Sequence, residues 1–306
     1  MPRNEIGSAP GSQARVVATF GRRFALSLDD GTGAAARVKG RALQPVCGDR
    51  VEAVPLPNEP DWLITGLLPR ANELTRPNMR GGVEVLAANL DALVVVTADF
   101  PAADWFIADR YLCAAELMGA AAAVAFNKID LGAIQPASMQ ALAEYHSIGY
   151  ATLRLSAGRN ENVGALLEFL AGRRAILVGQ SGVGKSSLIN RLVEDSLLPT
   201  GAVSKSRREG RHTTANSVML SLPNGGAVID SPGVRDYAPA VAGPAEVARG
   251  FREVCEAAAE CRFANCRHLR EPGCEVKARV ADGRIGARRY ESYKRMLANA
   301  ERIARL

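Results

Sequence analysis

Aromatic side chains make up only 5% of this 306-residue chain. Histidine is also scarce, with three residues. Six of the 38 basic residues are lysines, so nearly all the positive charge is arginine. Few aromatics argue against a surface that stacks base after base. Arginine forks, which grip phosphates in pairs of hydrogen bonds, fit the composition and the net charge of +6 better. Long apolar runs are missing too. The longest lies around residues 90–98, far short of the ~20 residues a membrane span requires. The first fifteen residues, MPRNEIGSAPGSQAR, contain no apolar stretch of the secretory-signal kind. The expectation is a cytoplasmic protein with no membrane partner. Its six cysteines then read as free thiols or metal ligands rather than disulfides.

What is present falls into zones. Residues 1–14 are rich in Gly, Ser and Pro and are expected to be a disordered tail. Residues 15–70 carry short β-patterned runs at 15–20, 24–28, 35–39, 50–54 and 62–68, separated by turn signals and without a helix pattern. They predict a small barrel, with an OB-fold as the leading form and an unspecialised β-domain as the alternative. From about residue 83 apolar strands alternate with helices. Strands are expected at 90–98, 122–126, 151–155 and 175–178, helices at 104–118, 136–147, 162–170 and 185–193, and a hairpin over 218–229. This alternation predicts a doubly wound, largely parallel sheet. Beyond residue 240 the chain reads as helical, basic and cysteine-containing.

Gly179-Gln180-Ser181-Gly182-Val183-Gly184-Lys185-Ser186 fits G-x-x-x-x-G-K-S between a predicted strand and a predicted helix, with Ser187 next in line. Such a loop wraps phosphates in backbone N–H groups, while Lys185 reaches the β- and γ-phosphates and Ser186 ligates Mg²⁺. Base choice is read from Asn127-Lys128-Ile129-Asp130 at the end of another strand. A carboxylate at Asp130 can accept from guanine N1–H and the exocyclic amine, a pair that adenine does not offer. Asn127 can hold the loop and meet the purine edge, the stem of Lys128 can lie along the ring, and a backbone N–H of Ser156-Ala157 can meet guanine O6.

These motifs resemble those of the TRAFAC GTPases, but in an unusual order. The base motif comes first, the phosphate loop second, and Asp230-Ser231-Pro232-Gly233, which fits D-x-P-G, last. With an N-terminal barrel and a Cys/His segment after the GTPase motifs, the chain is similar to the RsgA (YjeQ) family of small-subunit-dependent assembly GTPases. Further matches are Gly210-Arg211-His212-Thr213-Thr214, Pro69-Arg70, Arg76-Pro77, Arg289-Tyr290 and Ser292-Tyr293. Ser231 departs from the family's usual Thr.

The fold this resemblance implies is α/β: a circularly permuted P-loop GTPase domain (71–240) between an OB-fold barrel (15–70) and a zinc-binding, mainly helical C-terminal domain (241–306). It also implies GTP hydrolysis coupled to late maturation of the small ribosomal subunit, with GTP/GDP and the subunit's rRNA as partners of a monomer. Asp230 and the Gly233 N–H are expected at Mg²⁺ and the γ-phosphate, and Thr213 or Thr214 in the Mg²⁺ shell. Val234 stands where Ras-like enzymes keep a water-orienting Gln, so unassisted turnover is expected at about 10⁻⁴ to 10⁻² per second. His212 is the candidate replacement, with contact to RNA or protein, or no role at all, as the alternatives. Arg207, Arg208 and Arg211 are further candidates for stabilising charge, with a solvated basic loop as the alternative for the first two.

Cys261, Cys266, His268 and Cys274 form C-x₄-C-x-H-x₅-C. Three thiolates and an imidazole suit tetrahedral Zn²⁺ with no position left open for catalysis. The resemblance implies one structural Zn²⁺ per chain. Cys47, Cys113 and Cys255 read as lone cysteines, with Cys255 near enough to be a substitute ligand. Two other readings compete with the assembly GTPase: a GTPase switch with a protein or metal-trafficking client, and an RNA-binding module with a relic nucleotide pocket. Intact Lys185, Ser186 and Asp230 argue against the last.

Overall fold

A computed structural model describes residues 11–77, 82–194, 217–231 and 243–304. Gly210, Arg207, Arg208, Arg211, His212, Thr213, Thr214, Gly233 and Val234 lie outside the described residues.

Alternating small apolar and polar residues build the first unit. β1 (Ser12–Phe20), β2 (Arg23–Leu28), β3 (Gly33–Val38), β4 (Arg50–Pro55) and β5 (Trp62–Leu67) pair in the order β1-β2-β3-β5-β4. A β1–β4 ladder closes them into a five-stranded barrel. Every second side chain points inward, so Val16, Phe24, Leu26, Val51, Ala53 and Ile64 fill the core. β1 begins earlier than the tail assigned to residues 1–14 would allow. Ser12, Gln13 and Ala14 pair with Ala53, Glu52 and Val51, and the methyl of Ala14 is buried in the barrel. The small apolar Ala14 seated on this ladder overrides the polar composition around it.

A hairpin unforeseen in the linker follows: β6 (Glu73–Pro77) against β7 (Val83–Ala88). The second unit is the predicted doubly wound sheet, in the order β10-β9-β8-β11-β13-β12. Its strands are β8 (Ala92–Thr97), β9 (Ala121–Phe126), β10 (Ala151–Arg154), β11 (Arg174–Val178), β12 (Ser217–Ser221) and β13 (Ala227–Asp230). Neighbouring strands are parallel except β12, which runs antiparallel to β13. All six residues of β8 are buried because both faces are covered. Leu93 and Val95 join a core with residues of α1 (Trp105–Met118) and α2 (Pro136–Ser147). Val94 and Val96 join another with residues of α3 (Val163–Phe169) and α4 (Lys185–Glu194).

The two units share one sheet. Barrel strand β1 pairs antiparallel with β12, Ala18 opposite Val218 and Thr19 opposite Ser217. Val218 in turn lies opposite Asp230 on β13. Ala18, Val218 and Asp230 therefore stand in a row across three adjacent strands.

The C-terminal unit consists of α5 (Pro244–Val247), α6 (Arg252–Ala258), α7 (Glu275–Ala281) and α8 (Ala287–Ala304). Its core of Phe251, Val254, Val276, Ile285, Met296 and Leu297 extends to Cys113 of α1. A buried charge network ties the same helices together. Asp109 on α1 accepts from Tyr145 Oη (2.6 Å), Arg288 Nη1 (2.7 Å) and Arg289 Nη1 (2.8 Å), and Arg289 also engages Glu253. Asp109 and Arg289 are fully enclosed. Charges so deep are tolerated only when paired and hydrogen-bonded throughout.

Candidate functional site

The phosphate loop fills the gap between the end of β11 at Val178 and the start of α4 at Lys185. Its glycines meet real constraints. Gly179 has φ +131°, and a Cβ there would stand 2.1 Å from Val96 O. Gly184 has φ +96°, and a Cβ would stand 2.3 Å from Asn127 Nδ2. Lys185 Nζ donates to the loop's own carbonyls, Gly179 O (2.5 Å) and Gln180 O (2.6 Å). Ser181, Gly182, Ser186 and Ser187 are exposed, while Val183 is buried and pins the loop to the core. The Gln180 side chain accepts from Asp104 N (2.8 Å), joining the loop to the N-cap of α1, a contact with no signal in the sequence.

The base loop follows β9 and sits beside the phosphate loop, because β9, β8 and β11 are neighbours. Asn127 is almost fully buried and both ends of its amide are engaged. Nδ2 donates to Val183 O (2.9 Å), and Oδ1 accepts from Ala157 N (3.0 Å). One side chain thus fastens three loops, those after β9, β10 and β11. Both backbone donors that Ser156-Ala157 offers for guanine O6 are engaged here, Ser156 N with Glu161 O (2.9 Å) and Ala157 N with Asn127. Lys128 adopts φ +66° and its amine bridges Phe100 O (2.6 Å) and Gly182 O (2.7 Å). The amine is therefore a clamp between loops, beyond the stem contact expected from sequence. Phe100 itself is 55% exposed at this rim. Asp130 accepts from Ser156 Oγ (2.5 Å), which accepts in turn from Arg159 N (3.0 Å). The Ser156 hydroxyl holds the Asp130 carboxyl below the ordinary carboxylate range.

Asp230 ends β13, next to β11 and its phosphate loop. Beside it Ser217 Oγ donates to Ser231 Oγ (2.9 Å). Motifs distant and reversed in the chain are thus gathered at one edge of the sheet, where the strand ends of an open α/β fold bind ligands.

Away from that edge, Cys261, Cys266, His268 and Cys274 offer ligand atoms that all lie within 4.8 Å of one another. Cys261 Sγ and Cys274 Sγ are each 3.5 Å from His268 Nδ1 and 4.0 Å from one another. Tetrahedral zinc with ordinary bond lengths sets these separations at about 3.5 Å for S···N and about 3.8 Å for S···S. The residues fit the ion, with no ligand position left over. Glu271 supports the loop: burial works against its charge, but N–H groups of Arg267 (3.1 Å), Leu269 (2.9 Å) and Arg270 (3.0 Å) outweigh it and hold the carboxyl down at about 2. Cys255 is exposed and outside the cluster, and Cys47 and Cys113 are buried apart. No helix among the described residues is long and apolar enough to cross a membrane.

Comparison with known proteins agrees with this geometry. The family model of the RsgA GTPase matches residues 67–239. A small ribosomal subunit biogenesis GTPase RsgA from Azotobacter vinelandii is 39% identical over 296 residues, 95% of this chain and 86% of the relative. One from Actinobacillus pleuropneumoniae (serotype 5b, strain L20) is 41% identical over 241 residues, 78% of this chain and 70% of that one. The crystal structure of YjeQ from Thermotoga maritima superposes with a TM-score of 0.73 at 28% identity, covering 95% of this chain and 98% of that one. YloQ, described as a circularly permuted GTPase, shares the fold with a TM-score of 0.72 at 21% identity, covering 98% of both chains. Barrel, permuted motif order and matched relatives lead to one conclusion: the chain belongs to the RsgA GTPase family and is a circularly permuted enzyme that hydrolyses GTP.

Proposed function

We propose that this GTPase serves late maturation of the small ribosomal subunit, docking on its rRNA with turnover stimulated by the docked subunit. The observation that supports the nucleotide half is the pair of hydrogen bonds that the Asn127 amide makes with Val183 O and Ala157 N, which fastens the base loop to the phosphate loop. In this reading Asp130 reads guanine N1–H and the amine, with Asn127, Lys128, Ser156 and Ala157 shaping the pocket. The N–H groups of residues 179–187 hold the phosphates, and Lys185 turns from its loop carbonyls to the β- and γ-oxygens. Ser186 and Asp230, with Thr213 or Thr214, are the residues for Mg²⁺, which when bound neutralises phosphate oxygen charge. Gly233 meets the γ-phosphate and His212 is the candidate for orienting the attacking water. The Cys₃His knuckle holds a structural Zn²⁺.

The RNA half draws on charge placement and on the relatives' names. Arg22, Arg23, Arg37, Lys39 and Arg41 are exposed around the β1–β2 turn and the end of β3. Arg23 stands directly opposite Arg37, and Arg22 Nη2 reaches Gly40 O (2.9 Å). Arg37 is paired with Glu59 (2.9 Å), so Arg22, Arg23, Lys39 and Arg41 are the exposed cations offered here for phosphate contact. Arg262, Phe263, Arg267 and Arg270 are exposed on the knuckle, with Arg262 over the Phe263 ring.

GTP and ATP turnover of the purified protein, measured with and without small or large subunits, tests the proposal. GTP-specific turnover raised at least tenfold by small subunits alone is the expected result. Stimulation by both subunits or by neither refutes subunit dependence, and equal use of ATP refutes guanine reading.

A further inference from the structure

The Arg289-Tyr290 and Ser292-Tyr293 pairs belong to neither the nucleotide pocket nor the ligand set of the knuckle. Their side chains nevertheless divide between the two neighbours of α8. Arg289 faces the GTPase unit, bound to Asp109 of α1. Tyr290 and Tyr293 face the knuckle. Tyr290 Oη donates to His268 O (2.5 Å), and Tyr293 Oη donates to Arg267 O (2.9 Å). These are the carbonyls of the ligand residue itself and of the residue before it.

His268 needs such support. Its φ is +59°, in the left-handed region that a residue with a Cβ seldom adopts. It is nevertheless 2% exposed, with Nδ1 aimed at Cys261 and Cys274. The two phenol rings stack at 6.2 Å with 19° between their planes, and the Tyr293 ring lies 6.0 Å from the imidazole. A flat aromatic pair therefore supplies both hydroxyls from one helix face, where residues three apart are neighbours.

We infer that Tyr290 and Tyr293 are positioning residues of the knuckle: their hydroxyls lock the peptides on both sides of the His268 Cα and so aim His268 Nδ1 at the metal. The inference rests on the zinc reading above. Groups that orient ligands from outside the coordination shell are typically worth tenfold to a hundredfold in metal affinity. Because Arg289 ties the same helix to α1, the lock also fixes the knuckle's bearing on the GTPase unit.

The test uses the full-length protein with Tyr290→Phe, Tyr293→Phe and the double substitution, which keep the rings and remove only the hydroxyls. Zinc release to a chromogenic chelator should be about tenfold faster for each single variant and faster again for the double. Cobalt-substituted protein should show altered ligand-field bands, a signature that simple loss of packing does not produce. Guanine-nucleotide affinity, read far from the knuckle, should stay at the wild-type value and so reports intact folding. Release rates within twofold of wild type, with unchanged cobalt spectra, overturn the inference while leaving the zinc reading intact. Wild-type protein that retains no zinc overturns both.

Discussion

The Arg289 guanidinium lies 2.8 Å from the Asp109 carboxylate, both side chains sealed from water, although one belongs to the last helix and the other to the first helix of the GTPase unit. Shortening the arginine leaves the carboxylate enclosed with fewer donors. Arg289→Met is expected to cost about 3–5 kcal/mol of stability, the range for breaking a buried pair from one side. Chemical denaturation monitored by circular dichroism measures it, and a loss below about 1 kcal/mol contradicts the assignment.

Asp130→Asn should exchange base preference. An amide keeps one acceptor for guanine N1–H but turns an NH₂ toward the exocyclic amine, so GTP should bind about a hundredfold or more weakly. Xanthine carries a carbonyl where guanine has that amine, and its nucleotides should gain affinity. A site whose buried polar groups lose their partners typically rejects the ligand by such factors. Calorimetric titration with GDP and XDP decides it. Unchanged GDP affinity removes Asp130 from base recognition.

Asn127→Ala should weaken the protein even with no nucleotide present. Val183 O and the Ala157 N–H would both lose their partner in a buried place. The expected cost is about 1–3 kcal/mol. If thermal unfolding of the nucleotide-free variant matches wild type, the side chain serves the ligand and not the loops.

Lys185→Ala should leave the fold largely unchanged, since the amine's bonds to Gly179 O and Gln180 O lie in a half-open loop. Removing a cation aimed at developing phosphate charge is expected to cost about 10²–10³ in turnover. Single-turnover phosphate release measures it, and undiminished hydrolysis removes Lys185 from the catalytic set.

Much of this was legible in the sequence because the relevant signals are local. Strand–loop–helix context located residues 179–187, and the apolar run before Asn127 located the base loop. The Cys₃His cluster was readable because three thiols and an imidazole fall within one short stretch. Contacts that depend on distant partners left no such trace. Nothing in the composition of β1 announces that its far edge will receive β12, nor that Arg289 will find Asp109. The β6–β7 hairpin escaped because Arg76 and Pro77 read as linker, and its pairing depends on register partners such as Glu84 and Val83 that nothing local announces. The roles of Asn127 and Lys128 as fasteners between loops likewise appear only once the three loops are adjacent.

The row formed by Ala18, Val218 and Asp230 has a mechanical meaning. Neighbouring strands sit about 4.8 Å apart, so the barrel wall stands roughly 10 Å from the backbone that carries Asp230. The base loop hangs from strands at the opposite end of the same sheet. A displacement of the barrel therefore has a short path to the strand of Asp230 and a longer one, across β11 and β8, to the loop of Asn127. Under the roles proposed for the two loops, cleavage and nucleotide exchange would answer to different hands on the same molecule.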